Sequence, residues 1–190
     1  MVFLLGFLLS GVPFGYLITK LVKKVDIRNY GSGNIGATNV WRVLGIKYAI
    51  LTFILDGSKS LIPILLIRKI TGDNTTQVVS MLLLAVAGHI FSPWLGWSGG
   101  KGFSSFILGL VALDIRLFLA AALAWLIVFL MFRISGLATL VSMTTTLVSS
   151  YSILSASDLL IMAMICTMIF WAHRKNIKNL IFPIKRRVKP

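Results

Sequence analysis

Long apolar runs alternate with short polar segments along the whole chain. Seven runs are apolar enough to form helices in lipid: residues 2–22, 47–69, 78–96, 103–113, 116–132, 137–155 and 158–173. A transmembrane helix needs about 20 apolar residues, so the run 103–113 is too short to cross a bilayer alone and could be a half-span, a re-entrant piece or a helix that begins in the preceding loop. The pattern predicts an all-α integral membrane protein, a compact bundle of about seven transmembrane helices, with residues 1–190 forming one domain.

The charged residues follow the same alternation. Only 13% of residues are charged, and 19 Lys and Arg stand against 5 Asp and Glu, for a net charge of +14. Nucleic acid is not the expected partner, because the basic residues lie between apolar runs and not on a soluble face with interleaved aromatics. With an external N-terminus, 15 basic residues fall inside and 3 outside, and Lys59 lies within a span. The positive-inside rule therefore predicts an N-out, C-in topology, and contact with anionic lipid accounts for most of the charge.

The polar, glycine-rich segments all fall on the inner side of this topology. They are residues 26–42, 96–102, 133–139 and 173–179. A site assembled from several loops on one face is therefore expected. The single cysteine, Cys166, excludes an internal disulfide and a cysteine-based metal site.

The segment 26–42 superficially contains a dinucleotide-binding fingerprint. Gly31, Gly33 and Gly36 have the required spacing, and Asp56 follows Gly36 by twenty residues. We reject this interpretation because no strand precedes the glycines and Asp56 lies deep inside the next apolar run. The segment comes after a basic turn that ends a membrane span.

The same segment is still suited to binding a phosphate. Its glycines allow backbone N–H groups to converge on an anion, and Arg42 can form a bidentate clamp. Short side chains add hydrogen-bonding groups: Ser32, Asn34, Thr38 and Asn39. The alternative is a tight loop with ordinary capping residues, which the density of Gly, Asn, Ser and Thr disfavours.

A second glycine-rich segment precedes the run 103–113 and consists of Gly99, Gly100, Lys101 and Gly102. It is not a Walker A loop, because Leu95 stands where that pattern needs its first glycine and Gly102 where it needs Ser or Thr. It nevertheless offers a phosphate both backbone donors and an ammonium group before a helix. The alternative is that Lys101 only anchors the helix to lipid headgroups. His89, in the preceding run, is by itself more typical of a satisfied interfacial histidine than of a catalyst.

Polar residues in or beside other runs complete the candidate set. Asp56 and Lys59 lie three positions apart in one apolar run, where charges are costly and usually paired. An ion pair that fixes helix packing is as plausible for them as a direct role in a site. A polar hinge and the end of the last run, neither specific alone, add Ser135, Thr139, His173 and Asn176.

Together these segments resemble the PlsY family of acyl-phosphate:glycerol-3-phosphate acyltransferases. The resemblance covers nearly the whole chain and rests on Pro13 to Tyr16, Asp26 to Arg28, Gly31 to Asn39 with Arg42, Asp56 with Lys59, Gly88 with His89, Gly99 to Gly102, Arg133 with Ser135, and His173 with Asn176 and Ile177. It implies a seven-helix membrane bundle in the bacterial inner membrane whose site faces the cytoplasm, which agrees with the charge pattern.

The resemblance also implies an activity. A fatty acyl chain would move from acyl-phosphate onto glycerol 3-phosphate, giving lysophosphatidic acid for phospholipid biosynthesis, with no metal or nucleotide cofactor and with a soluble partner acyltransferase that makes the acyl-phosphate. The expected catalytic residues are Ser32, Arg42, Lys101, His173 and Asn176. The expected substrate-binding residues are Gly31, Gly33, Asn34, Gly36, Thr38, Asn39, Gly99, Gly100, Gly102, Ser135 and Thr139, and the expected supporting residues are Asp56, Lys59 and His89.

The chemistry of the substrates is consistent with these roles. Acyl-phosphate is a mixed anhydride with a good leaving group, and no Ser–His–Asp pattern is visible, so transfer without a covalent acyl-enzyme is expected. Arg42 and Lys101 would offset the repulsion between two dianions and stabilise developing charge. The alcohol proton could pass to His173 or to a phosphate oxygen of the substrate, and we favour the phosphate oxygen.

Several positions depart from the family pattern: Ser60, Phe103 to Ser105, Thr139, and the tail from Lys178 to Lys185. These departures leave open a paralogue with an altered substrate or lost activity. A small membrane transporter is the alternative from another class, but it needs polar residues along a path across the bilayer. A non-catalytic membrane acceptor of soluble partners is a third alternative, and it would tolerate Lys101→Ala.

Overall fold

The computed structural model describes residues 1–181 and consists there of helices joined by loops. The helices are α1 Val2–Ser10, α2 Phe14–Lys23, α3 Ala37–Leu44, α4 Ile46–Ile70, α5 Thr75–Ile90, α6 Phe103–Leu113, α7 Ile115–Phe132, α8 Ser135–Ser150, α9 Ala156–Ala172 and α10 Arg174–Ile181. Two 3₁₀ turns, Ile27–Asn29 and Pro93–Leu95, lie in loops. The all-α prediction is confirmed for this part of the chain, and the tail beyond position 181 falls outside the described residues.

Each predicted apolar run contains a helix. Four helical stretches are long and apolar enough to cross a membrane: Val2–Lys23, Ile46–Ile70, Thr75–Leu95 and Ile115–Phe132. Phe103–Leu113 and Ala156–Ala172 are apolar but shorter. These helices support an integral membrane protein, whereas seven crossings and the N-out, C-in orientation remain predictions.

The first predicted span is not one continuous helix. Residues 11–13 separate α1 from α2, so the expected span 2–22 is divided near its middle. Pro13 has no backbone N–H to donate, and its ring disfavours a helical conformation at Val12. The chain therefore leaves one helix and begins another inside an apolar stretch.

Helix α5 lies at the centre of the bundle. It packs against α1, α4, α6 and α9, and the largest buried cluster lies along these contacts. Small residues allow the close helix packing that is common in membranes. A Cβ at Gly109 of α6 would overlap the Leu82 side chain of α5, and one at Gly57 of α4 would overlap Leu108 of α6. Helix α6 is thus wedged between its neighbours, although it has only 11 residues.

A second, smaller cluster anchors the glycine-rich loop. Ile27, Ile35 and Val40 are buried together, and Tyr16 of α2 and Leu95 pack against them. The loop between α2 and α3 is therefore fixed to α2 on one side and to the segment after α5 on the other.

Candidate functional site

The side chain of Asn39 holds the first glycine-rich loop together. It is 1% exposed, and its Oδ1 accepts a hydrogen bond from the Ser32 backbone N–H at 2.9 Å. Its Nδ2 donates to the carbonyls of Tyr30 at 2.9 Å and Asn34 at 2.8 Å. We therefore expect Asn39 to support the loop instead of contacting a phosphate.

The surface of this loop carries the groups that are free to meet a ligand. Gly31 and Gly33 have φ angles of 59° and 71°, in the left-handed region that favours glycine, and the exposed Ser32 lies between them. Gly36 precedes α3, whose first turn contains the half-buried Thr38 and whose last turn contains the exposed Arg42. Thr38 and Arg42 are four residues apart and so share one face of α3.

The second glycine-rich segment lies against the end of α5. The N–H groups of Gly99 and Gly100 donate to the carbonyls of Ile90 and His89, each at 3.0 Å. Because carbonyls of α5 already accept from these two N–H groups, we do not expect the N–H groups to bind a phosphate, and a role of the two glycines in substrate binding stays a prediction. A Cβ at Gly100 would overlap the His89 ring, so this glycine permits a close approach. Gly102, with a φ angle of 84°, is the N-cap residue of α6.

This arrangement places Lys101 opposite α10. Its Nζ donates to Oδ1 of Asn176 in α10 at 2.6 Å. Asn176 in turn lies against the first turn of α8, where a Cβ at Gly136 would overlap its amide. Three of the predicted polar segments, 96–102, 133–139 and 173–179, therefore meet at this point.

Within the described part of the chain, the charges that act on Lys101 are positive. Burial, followed by the charges of Arg42 and Lys175, lowers the pKa of Lys101 to about 8. The chain has five Asp and no Glu. Within residues 1–181 four Asp pair with a neighbouring Lys or Arg, and Asp158 accepts a hydrogen bond from Ser155 on α9. Three cations from separate segments thus converge where no described carboxylate neutralises them, which favours anion binding.

His173 lies at the end of α9 and is 4% exposed. Its Nδ1 donates to the Ile169 carbonyl at 2.9 Å, which leaves the lone pair on Nε2. Burial is the main cause that lowers the pKa of His173 to about 4, and the Lys101 charge adds to it. The ring is therefore neutral at physiological pH and is a weak base.

The predicted hydroxyls lie on α8. Ser135 is half-buried at the start of the helix, and Thr139 is 4% exposed one turn later. The Trp125 indole N–H of α7 donates to Thr139 Oγ1 at 3.3 Å. The structure thus places Thr139 deeper than Ser135, on the same helix as Gly136.

The predicted supporting residues lie below the loops, inside the bundle. Asp56 and Lys59 form an ion pair of 2.8 Å in α4, with side chains 0% and 2% exposed. His89 lies in the last turn of α5, directly against Gly100. None of these residues shares a hydrogen bond with Lys101 or Asn176 among the described residues.

Sequence reasoning missed three residues of this site. Gly136 could have been noticed as a glycine next to a predicted site serine, but only the fold shows that Asn176 packs on it. Lys175 was grouped with the basic residues of the inner side, and its adjacency to Asn176 was the available signal. Trp125 gave no signal, because an aromatic residue in an apolar run is usually lipid-facing or core.

Comparison with known proteins identifies the family. A family model described as Glycerol-3-phosphate acyltransferase matches residues 1–182. The chain belongs to the glycerol-3-phosphate acyltransferase family. This confirms the resemblance based on the glycine-rich segments. A relative from Myxococcus xanthus named glycerol-3-phosphate acyltransferase is 38% identical over 185 residues, covering 97% of this chain and 96% of its own length. One of the same name from Wolbachia sp. subsp. Brugia malayi is 39% identical over 181 residues, covering 95% and 93%.

Solved structures of this acyltransferase family share the fold. A crystal structure of PlsY, an integral membrane glycerol 3-phosphate acyltransferase in its glycerol 3-phosphate form, matches with a TM-score of 0.90 and 35% identity, covering 95% of this chain and 90% of that chain. The lysophosphatidic acid form matches with a TM-score of 0.87 and 32% identity over the same shares. This likeness extends the assignment from motifs to the whole bundle and disfavours the transporter alternative.

Proposed function

We propose that this protein is a glycerol-3-phosphate acyltransferase that takes its acyl group from acyl-phosphate and yields lysophosphatidic acid. The observation that carries the proposal is the convergence of Arg42, Lys101 and Lys175 without a carboxylate among the described residues. Two dianionic substrates must meet for this reaction, and such a cluster offsets their repulsion. Family membership supports the same acceptor and product.

The reaction needs no covalent enzyme intermediate. The glycerol 3-phosphate hydroxyl attacks the acyl carbonyl carbon, a new ester C–O bond forms, and the bond from that carbon to the phosphate oxygen breaks. Inorganic phosphate leaves with the bonding electron pair. Lys101 and Arg42 stabilise the negative charge on the carbonyl oxygen and the departing phosphate, and Asn176 holds the Lys101 ammonium in place.

The hydroxyl proton passes to an oxygen of the departing phosphate. A phosphate oxygen is a better acceptor than His173, because burial and the Lys101 charge hold the pKa of this histidine at about 4. In this proposal His173 stays neutral, and its Nε2 lone pair orients the attacking hydroxyl. Ser32 and the exposed edge of the first loop bind a substrate phosphate, and Ser135 and Thr139 line the opposite wall.

The membrane setting follows from the same proposal. The protein crosses the bacterial inner membrane seven times with its N-terminus outside, so that the site faces the cytoplasm. A soluble acyltransferase there supplies the acyl-phosphate. The acyl tail remains in lipid or between helices while the headgroups react at the cluster, which explains why a reaction of water-soluble headgroups is carried out by a membrane protein.

Phosphate release from purified protein in detergent tests this function. Long-chain acyl-phosphate is supplied with and without glycerol 3-phosphate, and lysophosphatidic acid is measured alongside phosphate. Acceptor-dependent release is expected, with a loss of about 100-fold or more in Lys101→Ala and Arg42→Ala. Lys47 is exposed and lies on the same predicted side of the membrane, so Lys47→Ala is the control and should remain active. A folded wild-type sample without release would contradict the proposal and point to a paralogue with altered chemistry.

A further inference from the structure

Backbone carbonyls at the break between α1 and α2 accept hydrogen bonds from side chains of other parts of the bundle. The Trp94 indole N–H donates to the Leu8 carbonyl at 2.9 Å, and Ser92 Oγ donates to the Gly11 carbonyl at 2.6 Å. The Lys59 ammonium donates to the Val12 carbonyl. Unsatisfied backbone groups are costly inside a bilayer, so these bonds stabilise the break. We call residues 11–13 with these three donors the joint.

The donors of the joint are themselves held in place. Ser92 is 0% exposed, and Lys59 is 3% exposed and paired with Asp56 at 2.8 Å. A Cβ at Gly88 of α5 would overlap the Phe7 carbonyl of α1, so the two helices touch through their backbones here. The joint is therefore a built contact between α1, α4 and the end of α5.

Both glycine-rich loops are connected to this joint. Helix α2 starts right after Pro13, and a Cβ at Gly15 would overlap the Ile35 carbonyl of the first loop. Tyr16 packs on the cluster that anchors the same loop. On the other side, the chain runs from Ser92 to Gly99, whose N–H donates to the Ile90 carbonyl at 3.0 Å. A shift at the joint would therefore move the first loop and Lys101 relative to each other.

We propose that Ser92 and Lys59 are positioning residues that set the separation between the first glycine-rich loop and Lys101, and so the affinity for glycerol 3-phosphate. Neither residue shares a hydrogen bond with Arg42, Lys101 or Asn176 among the described residues. They act through the Gly11 and Val12 carbonyls, and thus through the direction in which α2 leaves α1. The choice of glycerol 3-phosphate as the ligand rests on the proposed function, whereas the contacts of the joint do not depend on it.

Ser92→Ala tests this inference against a matched control. Ser142 is also 0% exposed, and its Oγ donates to the Ala121 carbonyl of a neighbouring helix at 2.8 Å, away from the joint. Both substitutions delete one buried hydroxyl that bonds a backbone carbonyl. Ser92→Ala is expected to raise the KM for glycerol 3-phosphate by about fivefold with little change in kcat, and Ser142→Ala to leave KM unchanged. Equal KM values in both variants would overturn the inference.

The ion pair provides a second test. The double variant Asp56→Asn/Lys59→Met removes both charges at similar volume and deletes the donor to Val12, whereas Asp56→Asn/Lys59→Gln keeps an uncharged donor. A raised KM in the first, partly restored in the second, is expected. Equal KM values in the two would show that the donor is not what matters.

Backbone amide exchange separates this inference from the proposed function. Ser92→Ala is expected to accelerate exchange in residues 27–40, and Ser142→Ala is not, whether or not the wild type is active. Unchanged exchange in residues 27–40 would refute the positioning role even in an active enzyme. Conversely, an inactive wild type with the expected exchange pattern would refute only the function.

Discussion

Replacing Asn176 removes the side chain that accepts a hydrogen bond from Lys101. The bond is short, 2.6 Å, and its donor is a charged group. Asn176 lies in α10 near the end of the described chain and packs on Gly136 instead of in the main core. Asn176→Ala should therefore release the Lys101 ammonium without unfolding the bundle.

The size of this effect follows from the kind of bond that is lost. A hydrogen bond to a charged group contributes about 1.5–3 kcal/mol. Lys101 is only half-buried, so the lower end of that range applies and water replaces part of the interaction. Since about 1.4 kcal/mol corresponds to a tenfold change, kcat/KM should fall by about tenfold.

Asn176→Asp gives a sharper result because it keeps the acceptor and adds a negative charge. The carboxylate would neutralise Lys101 and repel both dianionic substrates. Two unit charges about 4 Å apart interact by about 4 kcal/mol at an effective dielectric constant of 20. We therefore expect a larger rise in the KM for glycerol 3-phosphate than in Asn176→Ala. The same charge would raise the pKa of Lys101 from about 8.

Initial rates of phosphate release at several acceptor concentrations measure both effects. Asn29→Ala is the control, because Asn29 is an exposed asparagine in the first loop region whose side chain makes no described hydrogen bond. If Asn176→Ala behaved like this control, Lys101 would not need its partner. If Asn176→Asp kept the wild-type KM, the cation cluster would not bind the acceptor.

Two further predictions follow from the same cluster. The kcat/KM should fall above about pH 8, where Lys101 loses its proton because its pKa is lowered to about 8, and Lys101→Arg should move this fall to higher pH, as a rate profile would show. His173, with a pKa of about 4, stays neutral and should add no change between roughly pH 6 and 7. Gly136→Ala should lower kcat/KM about as much as Asn176→Ala, because the new methyl group displaces the Asn176 side chain. The thermal stability should stay unchanged, since alanine favours a helix. The double variant should be no worse than either single, and additive losses would contradict a shared cause.

Hydrophobic patterning was enough to locate the helices but not their interruption. The seven runs each contain a helix, since apolar length is the main constraint on a chain in lipid. The division at residues 11–13 was missed because Pro13 is tolerated in membrane helices when other groups satisfy the backbone. Here those groups are Ser92, Trp94 and Lys59, and no local pattern reveals that they reach Gly11 and its neighbours.

The candidate site was predictable by residue type but not by the role of each residue. Lys101, Arg42 and Asn176 were identified from basic and polar residues beside glycines, and the structure brings their segments together. Asn39 and Gly100 were expected to face a phosphate. In the structure the Asn39 side chain holds the loop together, and Gly100 lets the chain pack closely against the His89 ring. One glycine can leave its backbone N–H available for a ligand, and another can allow a neighbouring side chain to pack closely. The sequence does not distinguish these two roles, and only the fold does.

The absence of acidic residues from this cluster, among residues 1–181, explains how it can be both stable and reactive. A lysine with a nearby carboxylate would form an ion pair with it, and that pair would have to break each time a substrate bound. Lys101 instead bonds a neutral amide, which fixes its position and leaves its charge available. Burial is the main cause of the lowered pKa of Lys101, and repulsion from Arg42 and Lys175 adds to it, which makes the empty site less stable. Binding two dianions relieves that repulsion, so part of the binding energy comes from strain stored among the cations.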